Sequence, residues 1–314
     1  MKVLGIESTA HTIGLGLIDH KKIICNLKAS YTTKSGGIIP AKSADFLAKS
    51  IPSLLSKLPV KMQDIDLISF SQGPGIGQCL STGAMLARTI ALKYNKPIIG
   101  VNHCIAHLEI GKLVTKAKEP ILLYVSGANT QVIAFEGGKY RIFGETLDMG
   151  AGNFLDSFGR ALDLGFPAGP VIEKLALTGK YIEVPYTVKG MDVAFGGLLT
   201  NIKQKINGIK KEDLCYSVQE TIFAMLIEVA ERAMAHCKKN ELLLGGGVAC
   251  NKRLQEMANI MCKERNAQCF IPENQYLVDN GVMIAWLGLE EYQKGRRMNI
   301  KDTAIRPEWR TDEE

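Results

Sequence analysis

The chain has 314 residues, of which 38 are Lys or Arg and 32 are Asp or Glu, so its formal net charge is +6. At roughly 150 residues per domain, this length predicts two lobes. A hydrophobic content of 46%, with 31 Gly and 11 Pro spread along the chain, excludes disordered, collagen-like and low-complexity classes. The surplus of positive charge is compatible with a nucleic-acid partner but does not predict one, since a solvated surface is its ordinary explanation.

The apolar pattern and the cysteines indicate the cellular compartment. The longest uncharged stretch, residues 67–87, is rich in Gly, Ser, Gln, Pro and Thr, whose polar groups lipid could not satisfy. The N-terminus has no apolar core of signal-peptide length. Eight cysteines without a C-x-x-C pair are typical of buried thiols in a reducing compartment rather than of a disulfide or zinc framework. We therefore expect a cytoplasmic protein with no membrane partner.

The chain opens with three extended segments, of which the last two form a hairpin across residues 19–22. A similar triplet returns about 118 residues later, with its hairpin across residues 136–139. The six segments are 3–6, 13–18, 23–31, 121–125, 132–135 and 140–143. The repetition favours a duplicated unit, although two similar hairpins also arise by coincidence because hairpins are common.

After each triplet, helical and strand-like patterns alternate. In the first half they are a helix at 41–58, a strand at 67–71, a helix at 79–94 and a strand at 97–101. In the second half they are a helix at 213–237, a strand at 241–244, a helix at 251–265, a strand at 268–271 and a helix at 280–292. Strands joined by crossover helices predict two α/β lobes with mainly parallel sheets. We expect the lobe boundary near residues 116–120 and a ligand site in the cleft between the lobes.

A histidine pair follows the strand that ends at Val101. His103 and His107 lie one helical turn apart, so their imidazoles can share one metal ion. The alternative is that each histidine is an ordinary polar residue at a strand end, and the spacing favours the metal. Asp279 is the best carboxylate candidate for a further ligand, although its ordinary role would be to cap the helix that follows. A zinc protease of the H-E-x-x-H type is disfavoured, since Cys104 stands where the general-base Glu would be.

Four loops of small residues follow strands, at 7–10, 72–77, 126–130 and 244–247. Such loops let backbone N–H groups approach an anion. The two glycine-rich loops, 72–77 and 244–247, match neither a P-loop nor a clean dinucleotide fingerprint, and packing alone can require such turns. The convergence of four loops in two lobes nevertheless favours a phosphate-bearing ligand.

Residues 148–173 carry acidic side chains among Gly and Pro turns. The residues of interest there are Asp156, Asp163, Gly165, Gly169 and Glu173. Carboxylates in such a place can accept ribose hydroxyls, as they do in dinucleotide-binding folds. A solvated helix face has the same composition, so both interpretations stay open.

Seven segments together resemble one known family. They are Gly-Ile-Glu-Ser-Thr-Ala (5–10), Ser-Gln-Gly-Pro-Gly-Ile-Gly (71–77), Val-Asn-His-Cys-Ile-Ala-His-Leu-Glu-Ile-Gly (101–111), Tyr-Val-Ser-Gly-Ala-Asn-Thr-Gln-Val-Ile-Ala (124–134), Val-Lys-Gly-Met-Asp-Val-Ala-Phe-Gly-Gly-Leu-Leu-Thr (188–200), Gly-Gly-Val-Ala-Cys-Asn (246–251) and Asp-Asn-Gly-Val-Met-Ile-Ala (279–285). In collinear order over nearly the whole chain, they resemble the tRNA N6-adenosine threonylcarbamoyltransferase family. Tyr124 and Asn129 are similar to the archaeal and eukaryotic branch, in which the protein is the catalytic subunit of the KEOPS complex.

The resemblance implies a fold and a division into lobes. The fold is the two-lobed α/β fold of actin, sugar kinases and Hsp70-type ATPases, with duplicated RNase H-like lobes that clamp a nucleotide. Lobe I is expected at residues 1–117 and lobe II at 118–286. The C-terminal segment, from about residue 287 to 314, is expected to pack back on lobe I.

The resemblance also implies site residues. The metal would be held by His103, His107 and Asp279, with Tyr124 as a further ligand. Substrate and nucleotide contacts are implied for Tyr124, Val125, Ser126, Gly127, Ala128, Asp156, Gly169, Glu173 and Asn251. No side chain is an obvious general base, and spacing alone does not support His11 in that role.

Two residues depart from the family pattern. Ala128 stands where the family usually has Gly, which bears on the approach of a phosphate oxygen to that backbone. Gly196 replaces the usual Ser, so any hydroxyl contact there is lost.

The implied reaction transfers the threonylcarbamoyl group of threonylcarbamoyl-adenylate to N6 of the tRNA adenosine just 3′ of the anticodon, in tRNAs that read codons beginning with A. One divalent metal per subunit is implied, with iron suggested by the family and zinc also suited to His, Asp and Tyr ligands. The nucleotide ligand would be ATP, AMP or the adenylate itself. The implied partners are tRNA, a small dimer-forming subunit, a further accessory subunit, and a kinase-like subunit that must be a separate polypeptide, since the chain contains neither H-R-D nor D-F-G.

Three other functions compete with this one. A non-catalytic ATP-binding scaffold would keep the nucleotide loops without metal or transferase activity. A sugar or acetate kinase on the same fold would need a catalytic carboxylate for which no motif is evident. A metallopeptidase lacks its general-base Glu.

Overall fold

The structure, a computed structural model, describes residues 1–33 and 37–313. Two compact units are formed. Unit 1 contains Met1–Thr32, Ile38–Val114 and the C-terminal segment from Asp279 onward, and unit 2 contains Thr115–Val278 together with Thr33 and Gly37. The C-terminal segment thus joins unit 1 at Asp279 rather than at about residue 287. The reason is that the helix after Asp279 packs from its first residue against strands of unit 1.

The described elements largely follow the predicted order. The strands are β1 (Lys2–Glu7), β2 (Thr12–Asp19), β3 (Lys22–Ser30), β4 (Leu67–Gly73), β5 (Ile98–Asn102), β6 (Ile121–Val125), β7 (Thr130–Glu136), β8 (Lys139–Glu145), β9 (Val188–Lys189), β10 (Asp192–Val193), β11 (Glu241–Gly245) and β12 (Gln268–Phe270). The helices are α1 (Pro40–Leu55), α2 (Gly77–Tyr94), α3 (His103–Val114), α4 (Ala151–Ala161), α5 (Gly169–Ala176), α6 (Gly196–Lys205), α7 (Lys211–His236), α8 (Lys252–Glu264), α9 (Asn274–Leu277) and α10 (Gly281–Gln293). Within this described part of the chain, none of the helices combines the length and hydrophobicity that spanning a membrane requires.

Unit 1 is built on a five-stranded sheet of order β3-β2-β1-β4-β5. β1 pairs antiparallel with β2 and parallel with β4, which in turn is parallel to β5. Leu4 and Ile6 of β1 join the apolar cluster that contains Leu47 of α1 and Ala84 of α2. Because side chains alternate across a strand, the residues between them face the other side of the sheet, where α10 lies.

Glycines bring α10 directly onto that side of the sheet. A Cβ at Gly16 of β2 would lie 2.1 Å from the backbone N of Val282, and one at Gly281 would lie 2.1 Å from the backbone N of Gly16. Only residues without side chains allow two backbones to approach this closely. The contact fixes the first turn of α10, and with it the preceding Asp279, against the sheet of unit 1.

Unit 2 repeats the same strand topology. Its sheet has the order β12-β11-β6-β7-β8, with β6 antiparallel to β7 and parallel to β11. β7 and β8 form a hairpin, and β12 adds to β11 in parallel. The strands β6 to β8 therefore correspond to β1 to β3, and β11 and β12 to β4 and β5. The predicted duplication is confirmed. The prediction of mainly parallel sheets is wrong, because in each unit the hairpin strands contribute two antiparallel pairs beside the two parallel ones.

The region predicted as acidic turns contains two helices, α4 and α5. Gly152 and Gly159 lie inside α4, where glycine lowers intrinsic helix propensity and obscures the pattern. Phe154 and Phe158 of α4 are fully buried in the core of unit 2, so tertiary packing overrides the propensity.

Candidate metal centre and ligand-binding loops

Two histidines and one aspartate of unit 1 come together. Nε2 of His103 and Nε2 of His107 each lie 3.5 Å from Oδ1 of Asp279. One ligand atom from each of the three residues fits within a mutual distance of 4.8 Å. Both histidines are buried, whereas 17% of the side-chain surface of Asp279 is exposed. Two imidazole nitrogens and a carboxylate oxygen suit Zn²⁺ or Fe²⁺, so this is a possible metal site.

The start of α3 sets the positions of both histidines. The side-chain oxygen of Asn102 accepts hydrogen bonds from the backbone N–H groups of Cys104 and Ile105, at 2.9 Å and 3.3 Å. This capping makes the helix begin directly after β5. His103 and His107 consequently lie on successive turns, as the sequence predicted.

The start of α10 sets the position of the aspartate. Asn280 caps this helix, because its side-chain oxygen accepts the backbone N–H of Met283 at 3.0 Å. The interpretation of Asp279 as the helix cap is therefore wrong. The capping role belongs to its neighbour, and the carboxylate of Asp279 faces the histidines instead.

A second carboxylate lies on the other side of His103. Oε2 of Glu7 is 2.9 Å from Nδ1 of His103. The other oxygen of Glu7 accepts two hydrogen bonds from Thr9, one from the backbone N–H and one from the hydroxyl, both at 2.6 Å. The side chain of Glu7 is fully buried.

The charges of this cluster shift the pKa values of its members. Burial lowers the pKa of His103, but the charge and hydrogen bond of Glu7, with the charge of Asp279, outweigh burial and raise the pKa to about 9. Burial lowers the pKa of His107 despite its hydrogen bond with Asp279. Burial alone would raise the pKa of Asp279, but the two histidines hold it below its ordinary range. Two carboxylates facing a single imidazolium leave a negative surplus, which favours a bound cation.

Cys104 and His11 are the other reactive side chains near the cluster. Burial raises the pKa of the Cys104 thiol to about 12, so this thiol is neutral at physiological pH and cannot replace a general-base Glu. His11 lies close enough for its charge to contribute to the lowered pKa of Asp279.

Tyr124, the fourth predicted metal ligand, belongs to unit 2. It lies at the end of β6, where it pairs with Gln131 of β7 and Gly245 of β11. Only 1% of its surface is exposed. Tyr124 thus marks the carboxyl end of the central strand of this sheet, an edge at which α/β proteins commonly bind ligands.

The predicted phosphate-contacting residues continue from there into a tight loop. The backbone N–H of Ser126 donates to the carbonyl oxygen of Asn129 at 2.8 Å, and the N–H of Asn129 donates back to the Ser126 hydroxyl at 3.1 Å. Gly127 and Ala128 are exposed at the tip, where the methyl group of Ala128 takes the place of the usual Gly hydrogen. The glycine-rich loop after β11 lies alongside. Its Gly246 has φ +89°, and a Cβ there would come within 2.3 Å of the carbonyl oxygen of Val125.

The predicted nucleoside-contacting residues lie on the helices of unit 2. Oε1 of Glu173 accepts the backbone N–H of Lys252 at 2.7 Å, directly beside Asn251, which caps α8. Asp156 accepts the N–H of the residue before Gly169 at 2.8 Å. A Cβ at Gly169 would meet nothing within 4 Å. The structure thus brings Glu173 and Asn251 together and links Asp156 to the start of α5.

The two predicted anion loops of unit 1 use several amides for packing. The N–H of Gly75 donates to the carbonyl oxygen of Pro307 at 3.0 Å, and that of Ile76 to the carbonyl oxygen of Thr9 at 2.7 Å. The N–H of Thr9 is bound to Glu7. These three amides are therefore engaged within unit 1, where the loops hold the C-terminal segment and the Glu7 side chain.

The second departure from the family pattern, Gly196, lies at the start of α6. Asp148 accepts backbone hydrogen bonds there from Phe195 and Gly196. Despite partial burial, these bonds keep the pKa of Asp148 below its ordinary value. A Cβ at Gly196 would be 2.9 Å from Oδ2 of Asp148, so the glycine allows this close capping contact.

Comparison with known proteins decides the family. A model of the tRNA N6-adenosine threonylcarbamoyltransferase (TsaD) family matches residues 22–286. The chain belongs to this family. A relative of that name from Thermococcus kodakarensis is 53% identical, and the match covers 100% of this chain and 98% of the relative. A probable bifunctional tRNA threonylcarbamoyladenosine biosynthesis protein from Methanobrevibacter smithii is 51% identical, over 99% of this chain and 59% of the relative.

Among solved structures, this member of the tRNA N6-adenosine threonylcarbamoyltransferase family also resembles more distant proteins. HypF from T. kodakarensis matches 97% of this chain and 50% of its own length, with a TM-score of 0.63 and 17% identity. An activator of 2-hydroxyisocaproyl-CoA dehydratase from Clostridium difficile matches 95% of this chain and 99% of its own, with a TM-score of 0.57 and 11% identity. At such low identity the likeness concerns the fold alone. It confirms the predicted α/β fold of the actin, sugar-kinase and Hsp70 class.

Sequence reasoning missed the Glu7 and Thr9 pair beside His103. A signal was present, because Glu7 directly follows the apolar run at residues 3–6, and a buried carboxylate requires a polar partner. Which partner it meets depends on β1 and β5 both flanking β4, and this order is a property of the folded sheet.

Proposed function

We propose that the chain transfers a threonylcarbamoyl group from threonylcarbamoyl-adenylate to N6 of the tRNA adenosine 3′ of the anticodon, as the catalytic subunit of a KEOPS-type assembly. The product would be N6-threonylcarbamoyladenosine. The observation that carries the proposal is the cluster of His103, His107 and Asp279 in a chain of this family. Family membership indicates the reaction class, and the cluster offers ligands for a metal that such a reaction can use.

One divalent ion is proposed to bind Nε2 of His103, Nε2 of His107 and Oδ1 of Asp279, with Tyr124 as a further ligand. The negative surplus of the cluster and its mixture of nitrogen and oxygen donors support this assignment. Fe²⁺ is the proposed ion, and Zn²⁺ is the alternative that the same donors fit. When bound, the metal supplies Lewis-acid stabilisation of negative charge on phosphate or carbonyl oxygens.

The proposed reaction forms a bond between adenosine N6 and the carbamoyl carbon. It breaks the bond between that carbon and the phosphate oxygen, so that AMP leaves with the electron pair and N6 loses a proton. Because an exocyclic amine is a weak nucleophile, holding it against the carbamoyl carbon is the main task of the protein. Residues 124–128 are proposed to contact the phosphate-bearing substrate, and Asp156, Gly169, Glu173 and Asn251 the nucleoside. The exposed loop tip and the open space at Gly169 support this division.

The proposed partners are tRNA, a separate kinase-like subunit, a small dimer-forming subunit and a further accessory subunit. The name of the bifunctional relative supports an association with a second activity, since 59% of that relative suffices to match this chain. The net charge of +6 supports contacts with tRNA phosphates.

The test is a reconstituted transfer assay. The chain and its partner subunits are incubated with threonylcarbamoyl-adenylate and a tRNA, and the modified nucleoside is measured by mass spectrometry after digestion. The matched control is the same tRNA with guanosine at the target position, which lacks the N6 amine. We expect modification of the first tRNA only. Nucleotide binding without any modified adenosine would instead identify a non-catalytic scaffold, and cleavage of peptides would identify a metallopeptidase.

A further inference from the structure

We infer that Glu7 is a positioning residue that selects the tautomer of His103 and so prepares this histidine to bind the metal. The inference rests on the proposed metal site, and it assigns a role to a buried carboxylate that lies outside the set of metal ligands. The observation behind it is that the imidazole of His103 lies between two carboxylates, with Glu7 next to Nδ1 and Asp279 next to Nε2.

The geometry fixes which nitrogen carries a proton. Oε2 of Glu7 is 2.9 Å from Nδ1 of His103, and an ionised carboxylate can only accept a hydrogen bond. Nδ1 must therefore carry a hydrogen. When His103 gives up its second proton, as binding a metal requires, the lone pair is therefore left on Nε2, the atom that lies 3.5 Å from Asp279.

Thr9 fixes which oxygen of Glu7 faces the histidine. Its backbone N–H and its hydroxyl both donate to Oε1, at 2.6 Å each, so Oε1 is committed to Thr9 and Oε2 to His103. Since Glu7 is fully buried, no solvent competes for these bonds. Outer carboxylates that orient a metal-binding histidine in this way typically contribute about 10- to 100-fold to metal affinity.

This arrangement makes the isosteric change Glu7→Gln informative. The two donors of Thr9 require an acceptor, so the amide oxygen of the glutamine should face Thr9 and the amide NH₂ should face Nδ1 of His103. Nδ1 then becomes the acceptor, and the proton moves to Nε2, where it blocks metal binding. The variant is therefore expected to move the proton of neutral His103 from Nδ1 to Nε2. A residue with a purely structural role would not change the position of this proton when replaced.

The experiment uses the full chain and Zn²⁺ as the probe, because this ion is diamagnetic. Zinc affinity is measured by competition with a chromophoric chelator, and the protonated nitrogen of each histidine is identified by long-range ¹H–¹⁵N NMR correlation. We expect the Kd for zinc to rise by about 10- to 100-fold in Glu7→Gln. The NMR signals should show His103 protonated at Nδ1 and not at Nε2 in the zinc-bound wild type. In the zinc-free variant, which lacks the Glu7 charge that raises the pKa of His103, they should show the proton at Nε2.

Glu109→Gln is the matched control, because Glu109 is also a buried carboxylate of unit 1 but binds Lys112 instead of a proposed ligand. It should bind zinc like the wild type. A second variant, Thr9→Val, removes one donor to Glu7, together with a longer contact of 3.4 Å from the same hydroxyl to Nδ1 of His103, and leaves the carboxylate unchanged. It should weaken zinc binding by a smaller factor. It provides the test if Glu7→Gln does not fold.

The outcomes separate this inference from the proposed function. If Glu7→Gln binds zinc within twofold of the wild type and keeps the Nδ1 proton of His103, Glu7 has no positioning role. If the wild type and a His103→Ala, His107→Ala double variant bind zinc equally, the metal site itself is wrong and the inference fails with it.

Discussion

Replacing Gly16 by alanine should destabilise unit 1 and weaken its metal site together. The added Cβ would lie 2.1 Å from the backbone N of Val282 in the first turn of α10. Ordinary contacts between such atoms begin at about 3.5 Å, so β2 and α10 would have to separate by about 1.4 Å to relieve the 2.1 Å approach. Both partners are backbone, so no side-chain rotation can relieve the clash.

The expected magnitude follows from this rigidity. Overpacking of a core costs about 1–3 kcal/mol, and a contact between backbones should lie at the upper end, at about 3 kcal/mol. For a domain of this size that corresponds to a fall in Tm of roughly 6–12 °C. Metal affinity should fall as well, because metal–ligand distances tolerate only about 0.2 Å and Asp279 moves with α10.

The assay combines thermal unfolding, followed by circular dichroism, with a zinc titration of the same protein. Gly77→Ala is the matched control in unit 1, because a Cβ there would meet only side-chain atoms of Pro307 and Ile305, at 3.8 Å and 3.9 Å. Its Tm and zinc affinity should stay close to those of the wild type. If Gly16→Ala melts within about 2 °C of the wild type and binds zinc equally well, the close packing of α10 does not position Asp279.

Three further predictions concern the metal, the pH and the tRNA. A His103→Ala, His107→Ala double variant should contain well under one equivalent of metal by mass spectrometry, because it keeps only one of the three proposed ligands of unit 1. Unchanged metal stoichiometry would refute the assignment. Burial and the charge of Glu109 raise the pKa of Glu290 to about 7 from 4.5, so the wild type should lose stability as the pH rises through that interval. Glu290→Gln should therefore gain about 1–2 kcal/mol over the wild type at pH 8 and almost nothing at pH 4.5, as measured by urea unfolding, and an equal gain at both values would contradict the assigned pKa. The isolated chain should bind cognate and non-cognate tRNA with similar affinity and lose affinity as the salt concentration rises, because its dispersed Lys and Arg side chains contact phosphates. Discrimination between the two tRNAs that survives high salt would exclude binding through phosphate contacts alone.

Much of the fold could be predicted from local patterns. The paired hairpins and the alternation of strands with helices identified both sheets, because a buried strand and an amphipathic helix have different apolar periods. α4 could not be predicted, because Gly152 and Gly159 weaken its helical pattern and only the packing of Phe154 and Phe158 in unit 2 makes it stable. The return of Asp279 to unit 1 likewise depends on backbone contacts between Gly16 and Gly281, which are remote in sequence.

In the candidate site, too, local features could be predicted from the sequence and long-range contacts could not. The spacing of His103 and His107 predicted their common orientation, because helix geometry is local. Asp279 was the best carboxylate candidate from its position before the last long helix, and the resemblance assigned it to the metal. The capping role of Asn280 and the contact from Glu7 emerge only once the strands and α10 are assembled. The position of Glu7 after an apolar run was a signal for a buried partner that the sequence analysis did not use, and it would not have identified His103.

The most direct test of the account compares transfer activity in two variants of α3. His107→Ala removes a proposed metal ligand, whereas Cys104→Ala removes a buried, neutral thiol from the same helix and leaves the three ligands intact. Modified adenosine per tRNA is measured by mass spectrometry in a single-turnover reaction with threonylcarbamoyl-adenylate and equal amounts of each folded variant. We predict that Cys104→Ala transfers at a rate close to that of the wild type and that His107→Ala is slower by at least about 100-fold. Equal rates for the two variants would contradict the claim that this cluster is the centre of the transfer reaction.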